Sequence, residues 1–224
     1  YFKDNLAFRK YLITANSALY YFLFNDSSHN KVIAGKNGFL FFKETIPDFI
    51  GSNLWSVEEL NRLIRILSLQ KEYLNKIGCK FLFVPVPNKN SIYDNYMPER
   101  YKKINKNNLD NLLQKLKNTN IEYLDLKQNF QKSIKTKKEL LYHRKDTHWN
   151  NMGSLLAYQE IMNWIRNEDS EFTFTDYNQD NYLKKRNFRG DLEEMLFPAL
   201  NRKDIKMDYG IEKNFRSRRP IFSV

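Results

Sequence analysis

Residues 140–153 read LLYHRKDTHWNNMG, and within them Asp146 stands two positions ahead of His148. An imidazole can take the proton of a hydroxyl nucleophile, and a carboxylate beside it fixes the tautomer and stabilises the imidazolium that develops. Two residues of separation bring these side chains together only if the chain turns between them. A turn is expected, because the pair lies between the apolar approach ELLYH and a helix beginning near Asn150, where loops at strand ends carry catalytic groups. Adding His143 gives H-x-x-D-x-H, two imidazoles and a carboxylate that could hold zinc or iron with positions left open. Arg144 and Lys145 fall between those groups and oppose a dication. The plainest reading is a capping aspartate and a surface histidine ahead of a helix. His29, in the polar turn NDSSHNK, is expected to face solvent.

Two more segments could build a site. CKFLFVPVP, residues 79–87, is a nearly continuous apolar run, and Asn88, Lys89 and Tyr93 follow just beyond it. Open α/β sheets bind ligands outside the carboxyl ends of their strands, although a proline-rich loop with a solvated lysine would look the same. Trp149 and Asn150, next to His148, are candidate substrate contacts from the other side. FRGDLEEML, residues 188–196, places Gly190 and Asp191 at a turn before a short apolar helix; an ordinary N-cap aspartate accounts for it equally well.

The elements that must position these residues alternate in type. In LAFRKYLITANSALYYFLF, residues 6–24, Leu12, Ile13, Asn16, Leu19, Tyr20 and Leu23 share one face of an amphipathic helix. KVIAGKNGFLFF reads as a β-hairpin turning at Gly35-Lys36-Asn37-Gly38. Ser56 and Glu59 form a capping box for a helix whose buried stripe is Val57, Leu60, Leu63, Ile64, Leu67, Leu74 and Ile77, ending at Gly78. The run after it has the character of a central parallel strand, covered on both faces. A helix near 107–118, a second strand IEYLDL and a third helix over 149–166, with Met152, Leu155, Leu156, Gln159, Met162 and Ile165 in register, repeat the alternation. The expected fold is therefore α/β, three layers around a mainly parallel sheet.

The chain has 224 residues, 42% of them hydrophobic and 15% aromatic, enough for one substantial core. It is read as a single domain over 1–224, with residues 1–30 as a helical lead-in. A net charge of +11 attracts anions without naming them. Nucleic acid is not the expected partner, because the lysines are scattered singly among asparagines, as in RYKKINKNNLDNLLQKLKN. A single cysteine, Cys79, rules out an intramolecular disulfide and is expected to be a core thiol. No run approaches the roughly 20 apolar residues of a membrane-spanning helix, and there is no signal peptide. The start at Tyr1 and the close on RRPIFSV suggest a piece of a longer chain, lacking an anchor or signal in front and further fold behind.

Taken together and in order, FKDNLAFRKYLI, KVIAGKNGFLFF, VPVPNKNSIYDNYMP and LYHRKDTHWNNMGSLLAYQ resemble the SGNH-hydrolase-like domain of the alginate O-acetyltransferase family, the AlgX and AlgJ type, with FRGDLEEML matching a further segment. DTHWN-x-x-G is the most specific part. The resemblance implies an SGNH-like fold and an extracytoplasmic, membrane-associated enzyme. Such an enzyme acetylates hydroxyls of an exported polysaccharide, supplied with acetyl by a membrane-bound acyltransferase. It implies no cofactor and no metal. Asp146 and His148 match the carboxylate and base of the family's Ser-His-Asp triad. The nucleophilic serine of the family follows in a G-D-S-like turn, which this sequence lacks: Ser217 lies in the basic FRSRRP and Ser223 is the penultimate residue. The expectation is a chain that stops before its nucleophile and is inactive alone. An esterase with the same triad and a non-catalytic polysaccharide-binding scaffold are the alternatives.

Overall fold

The computed structural model describes residues 8–137, 139–173, 182–201 and 204–209. Helix α1, Arg9–Phe24, leads into an antiparallel hairpin of β1, Val32–Ala34, and β2, Leu40–Phe42, in the register Val32 to Phe42 and Ala34 to Leu40. Asn37 and Gly38 supply the positive φ values, 55° and 74°, that turn it. The short α2, Ile46–Ile50, precedes α3, Val57–Lys76, and both arms of the Ser56–Glu59 capping box are made. After α3 come α4, Lys89–Ile92; α5, Asn108–Leu116, capped by Asn107; and α6, Leu126–Lys137, a helix that the sequence pattern had not marked. Helix α7 spans Asn151–Glu168. A second antiparallel pair, β3, Tyr182–Phe188, with β4, Asp204–Tyr209, brackets α8, Asp191–Leu196.

Three apolar clusters hold these elements together. The largest gathers Phe39 and Phe41 of the hairpin, Tyr93, Leu126 and Phe130 of α6, Tyr142, and Met152 of α7. A second sets Leu60 and Leu67 of α3 against Leu112, Leu113 and Leu116 of α5. The third packs Val32 and Leu40 on Leu192, Leu196 and Phe197, with Ala18 and Tyr21 of α1 against it. The hairpin contributes one face to the first cluster and the other to the third, because alternate residues of a strand point to opposite sides.

Several expectations are corrected. The two apolar runs expected as parallel strands do meet in parallel, but among the described residues the contact is one bridge, Phe83 to Tyr123, with Phe83 N donating to Glu122 O and Leu124 N to Phe83 O. Pro85 and Pro87 lack the N–H groups needed to extend that ladder. Helix α1 turns its apolar stripe outward: Leu12, Leu19, Tyr20 and Leu23 are exposed, while Ser17 is buried. Polar contacts select that face, since Ser17 and Ser28 hydroxyls lie 2.8 Å apart and Ala199 N donates to Thr14 Oγ1. On α3, Leu60 and Leu67 are buried, but Val57 and Ile77 at its ends are exposed. Cys79 is exposed rather than a core thiol, because it follows the left-handed Gly78 directly, outside the packed stripe. His29 is half-buried, its Nδ1 accepting from Lys31 N. No helix among the described residues is long and apolar enough to cross a membrane.

The burial pattern of α3 makes a stability prediction. Leu67→Ala should cost about 2–5 kcal/mol in urea unfolding, whereas Val57→Ala should stay within about 0.5 kcal/mol of the parent. Equal losses would contradict the packing.

Candidate active site

The DTHW stretch is the tip of a tight loop. Tyr142 and Trp149 form an antiparallel bridge, His143 N donates to His148 O, and Asn150 N donates to Leu141 O. Asn150 then opens α7, its Oδ1 accepting from Met152 N and Gly153 N while Nδ2 donates to Leu140 O. Gly153 is required by proximity: a Cβ there would stand 2.4 Å from Leu141 O. The last glycine of DTHWN-x-x-G thus lets the helix start pressed against the Leu141 backbone that leads into the loop.

At the tip, Asp146 and His148 converge as their spacing suggested. His148 Nδ1 lies 2.8 Å from Asp146 Oδ1, which also accepts from His148 N at 2.8 Å. The carboxylate is buried and the imidazole is largely exposed. Among the described residues no hydrogen bond reaches Nε2, which leaves it open to an incoming hydroxyl. Burial alone would raise the Asp146 carboxyl, but donations from Asp191 N, from His148 N and from the His148 ring hold it below its usual value.

The second oxygen of Asp146 is claimed from 45 residues downstream: Asp191 N donates to Oδ2 at 2.7 Å. Asp191 is the first residue of α8, with Gly190 as the cap. Its carboxylate accepts from Thr147 N at 2.8 Å and from Thr147 Oγ1 at 2.5 Å, and lies 3.9 Å from His148 Nδ1. Gly190 permits the approach, since a Cβ would fall 2.1 Å from Lys145 O. Glu193 completes the seam, its N donating to Lys145 O and its carboxylate pairing with Lys145 Nζ at 2.6 Å. The sequence placed Gly190 and Asp191 at a turn that could build a site, but not their bonds to Asp146 and Thr147, and nothing in the residue pattern marked Thr147.

Of the other expected site residues, Asn88 is exposed at the cleft and Trp149 is half-buried in its wall. Tyr93 is buried, its hydroxyl accepting from Leu141 N at 2.8 Å. Lys89 is buried too, its ammonium donating to Leu40 O, Arg144 O and Asp146 O. His143 is buried with its ring stacked on Phe188, centroids 3.9 Å apart, so the H-x-x-D-x-H set does not converge. The close group of metal-ligating types among the described residues is Asp146, His148 and Asp191. Its oxygens already accept backbone N–H, hydroxyl and imidazole donors. A cleft of about 390 Å³ runs past the dyad, lined by Phe41, Phe42, Val86, Asn88, His148 and Trp149 among others. Ser217 and Ser223 lie outside the described residues.

This geometry predicts a pH response. Asp146 titrates below its ordinary 3.8 in the fold, so its contribution is fully present above that pH and is lost as pH falls through the lower folded value. Asp146→Asn should therefore lower stability at pH 6 and flatten the loss between about pH 4 and pH 2, followed by urea unfolding across pH; an unchanged acid limb would contradict the arrangement. Gly190→Ala should cost about 1–3 kcal/mol through the forced displacement of the Lys145 carbonyl.

Among solved structures, the chain is similar to the O-acetyltransferase domain of Pseudomonas putida AlgJ, at 18% identity over 79% of this chain and 63% of that one, with a TM-score of 0.53. It is similar also to Bacillus cereus PatB1, at 20% identity over 70% of this chain and 50% of that one, again at 0.53. A second PatB1 structure, bearing a sulfonyl adduct, matches equally well. The chain spans about half to two thirds of the length of these structures. No curated protein matches it. At such identities the likeness speaks to the fold, which is SGNH-hydrolase-like. The family described as the SGNH hydrolase-like domain of the acetyltransferase AlgX matches residues 32–215, a stretch that contains the hairpin, the Asp146–His148 loop and the α8 seam, and the chain belongs to that family.

Proposed function

We propose that this chain is the domain of a polysaccharide O-acetyltransferase that carries the base and its orienting carboxylate. The observation that carries the reading is the buried, fully hydrogen-bonded Asp146 fixing Nδ1 of an exposed His148 whose Nε2 faces a cleft. That is the arrangement acyl transfer needs from a general base. The family match and the O-acetyltransferase likeness of the AlgJ domain supply the acyl group as acetyl.

In the proposed sequence, a serine from a turn later in the protein attacks the acetyl carbonyl of the donor. Its hydroxyl proton passes to Nε2 as the Oγ–C bond forms. The donor's leaving group departs with that proton, giving an acetyl-serine and neutral His148. A sugar hydroxyl then attacks the acetyl-serine, its proton passing to Nε2, and the proton returns to serine as the acetyl ester of the glycan leaves. Asp146 keeps the ring in one tautomer and offsets the positive charge at both stages. Asn88 and Trp149 are proposed to position the sugar, the indole offering an apolar face to a pyranose ring. We place the enzyme outside the cytoplasm, as one domain with residues 1–30 as its lead-in. It is anchored by a further segment and takes acetyl from a membrane-bound acyltransferase. The +11 charge selects an anionic polymer.

Two tests follow. In the full-length protein, His148→Ala and Asp146→Ala should each lower acetyl transfer by on the order of 10⁴, and mass spectrometry after exposure to p-nitrophenyl acetate should find an acetyl adduct that depends on His148. Transfer to water alone, with no acetylated glycan, would make the protein an esterase; no adduct would make it a scaffold. In a binding assay, uronic-acid polymers should be held more tightly than neutral glycans, and the difference should shrink as salt rises from 0.05 to about 0.5 M. Equal, salt-independent binding would remove the anionic substrate.

A further inference from the structure

The Lys89 ammonium is a buried charge at the site that the acetyl-transfer scheme leaves without a task. It is 6% exposed. Its three acceptors come from two separate segments: Leu40 O of β2 at 2.7 Å, and Arg144 O at 2.8 Å and Asp146 O at 3.0 Å of the catalytic loop. Phe39 and Phe41 flank it, their ring centroids 5.5 and 5.3 Å from Nζ. The stem rises from α4 at the floor of the cleft. Three N–H bonds meet three carbonyls, so no donor of this ammonium remains for a substrate. Burial pushes the ammonium down to about 7, against the pull of the Asp146 and Asp191 carboxylates. A neutral amine, with two N–H groups, could serve only two of these three carbonyls, so the full set of contacts belongs to the charged form.

We propose that Lys89 is a positioning residue for the catalytic dyad: by joining β2, the Arg144 and Asp146 carbonyls and α4 at one point, it sets the plane of the Asp146 loop and hence the direction of His148. This rests on the acetyl-transfer reading for its catalytic consequence, but not for its structural one. The alternative it replaces is a lysine that contacts the glycan directly. The two differ in what they predict. A substrate contact acts mainly through KM. A support beneath the base acts through the reacting geometry, where a displacement of about 1 Å can cost 10²-fold in rate.

Made in the full-length protein, Lys89→Met keeps the length and apolar stem and removes only the donors. It should leave the circular dichroism of the chain unchanged. It should abolish or markedly broaden the downfield proton resonance shared by His148 Nδ1 and Asp146, and lower kcat about 10²-fold with KM within about twofold. Lys89→Ala should show the same losses, and propylammonium, which replaces the missing atoms, should restore the resonance and at least part of kcat where propanol does not. A raised KM with unchanged kcat would overturn the proposal in favour of a substrate contact, as would an unaltered shared-proton resonance in Lys89→Met. If neither variant folds, with or without propylammonium, Lys89 belongs to the fold and the proposal fails. The resonance needs no acetyl donor, so an unaltered parent that transfers no acetyl sinks the functional reading while this test still reads out.

Discussion

The rest of the site depends on a carboxylate that is buried and yet must stay ionised. An unpaired polar group out of water costs about 2–7 kcal/mol and an isolated charge far more. Asp146 escapes that cost because Oδ1 takes two donors from His148 and Oδ2 takes Asp191 N. The consequence reaches well beyond the loop. The donor on Oδ2 comes from the start of α8, and α8 can stand there only because Gly190 has no Cβ, which would meet Lys145 O at 2.1 Å, and because Leu192 and Leu196 bury themselves against Val32 and Leu40 of the hairpin. Local chemistry at one aspartate is thereby underwritten by long-range apolar packing.

The loop backbone is treated the same way. Arg144 O receives Leu40 N and Lys89 Nζ, Lys145 O receives Glu193 N, and Asp146 O receives Lys89 Nζ. Three successive carbonyls of an irregular segment are each met by an element distant in sequence, which satisfies buried acceptors that a loop cannot satisfy itself. A loop pinned at these three carbonyls loses little further freedom when a ligand binds, and its imidazole starts close to where a base would act.

What the residue pattern revealed was what neighbours along the chain decide. The D-x-H convergence, the hairpin at Asn37-Gly38, the Ser56–Glu59 capping box and the start of α7 at Asn150 are all settled within a few residues, and each is as read. The SGNH-like fold followed from segment order. What was missed is set by partners far away. An apolar stripe says which side of a helix water dislikes, but not whether anything covers it; on α1 the serine contacts and Tyr21 against Phe197 fixed the rotation, and Leu12 and Leu23 were left outside. Lys89 was expected to meet substrate beyond the apolar run, but its ammonium is taken up by three acceptors 49 to 57 positions away, which the residue pattern could not show. A single bridge stands where a longer parallel ladder was expected, since periodicity registers burial and cannot count hydrogen bonds.

The site divides into a floor that cannot move and a wall that can change. Asp146, Lys89 and Tyr93 are buried and their polar atoms are consumed by the protein itself. Asn88 and Val86 stand exposed at the cleft, with Trp149 half-buried beside them, whereas the exposed His148 is held to the floor by its two bonds to Asp146. Substitution on the floor breaks a hydrogen bond with no water to replace it, whereas substitution on the wall exchanges one solvated surface for another. In the proposed reaction, acetyl chemistry needs the floor in one arrangement, whereas recognition of a particular polymer would need only the wall. Because no side-chain hydrogen bond among the described residues joins Asn88, Val86 or Trp149 to Asp146, His148, Lys89 or Tyr93, this architecture would let the glycan accepted in the proposed reaction vary while the base and its carboxylate stay fixed.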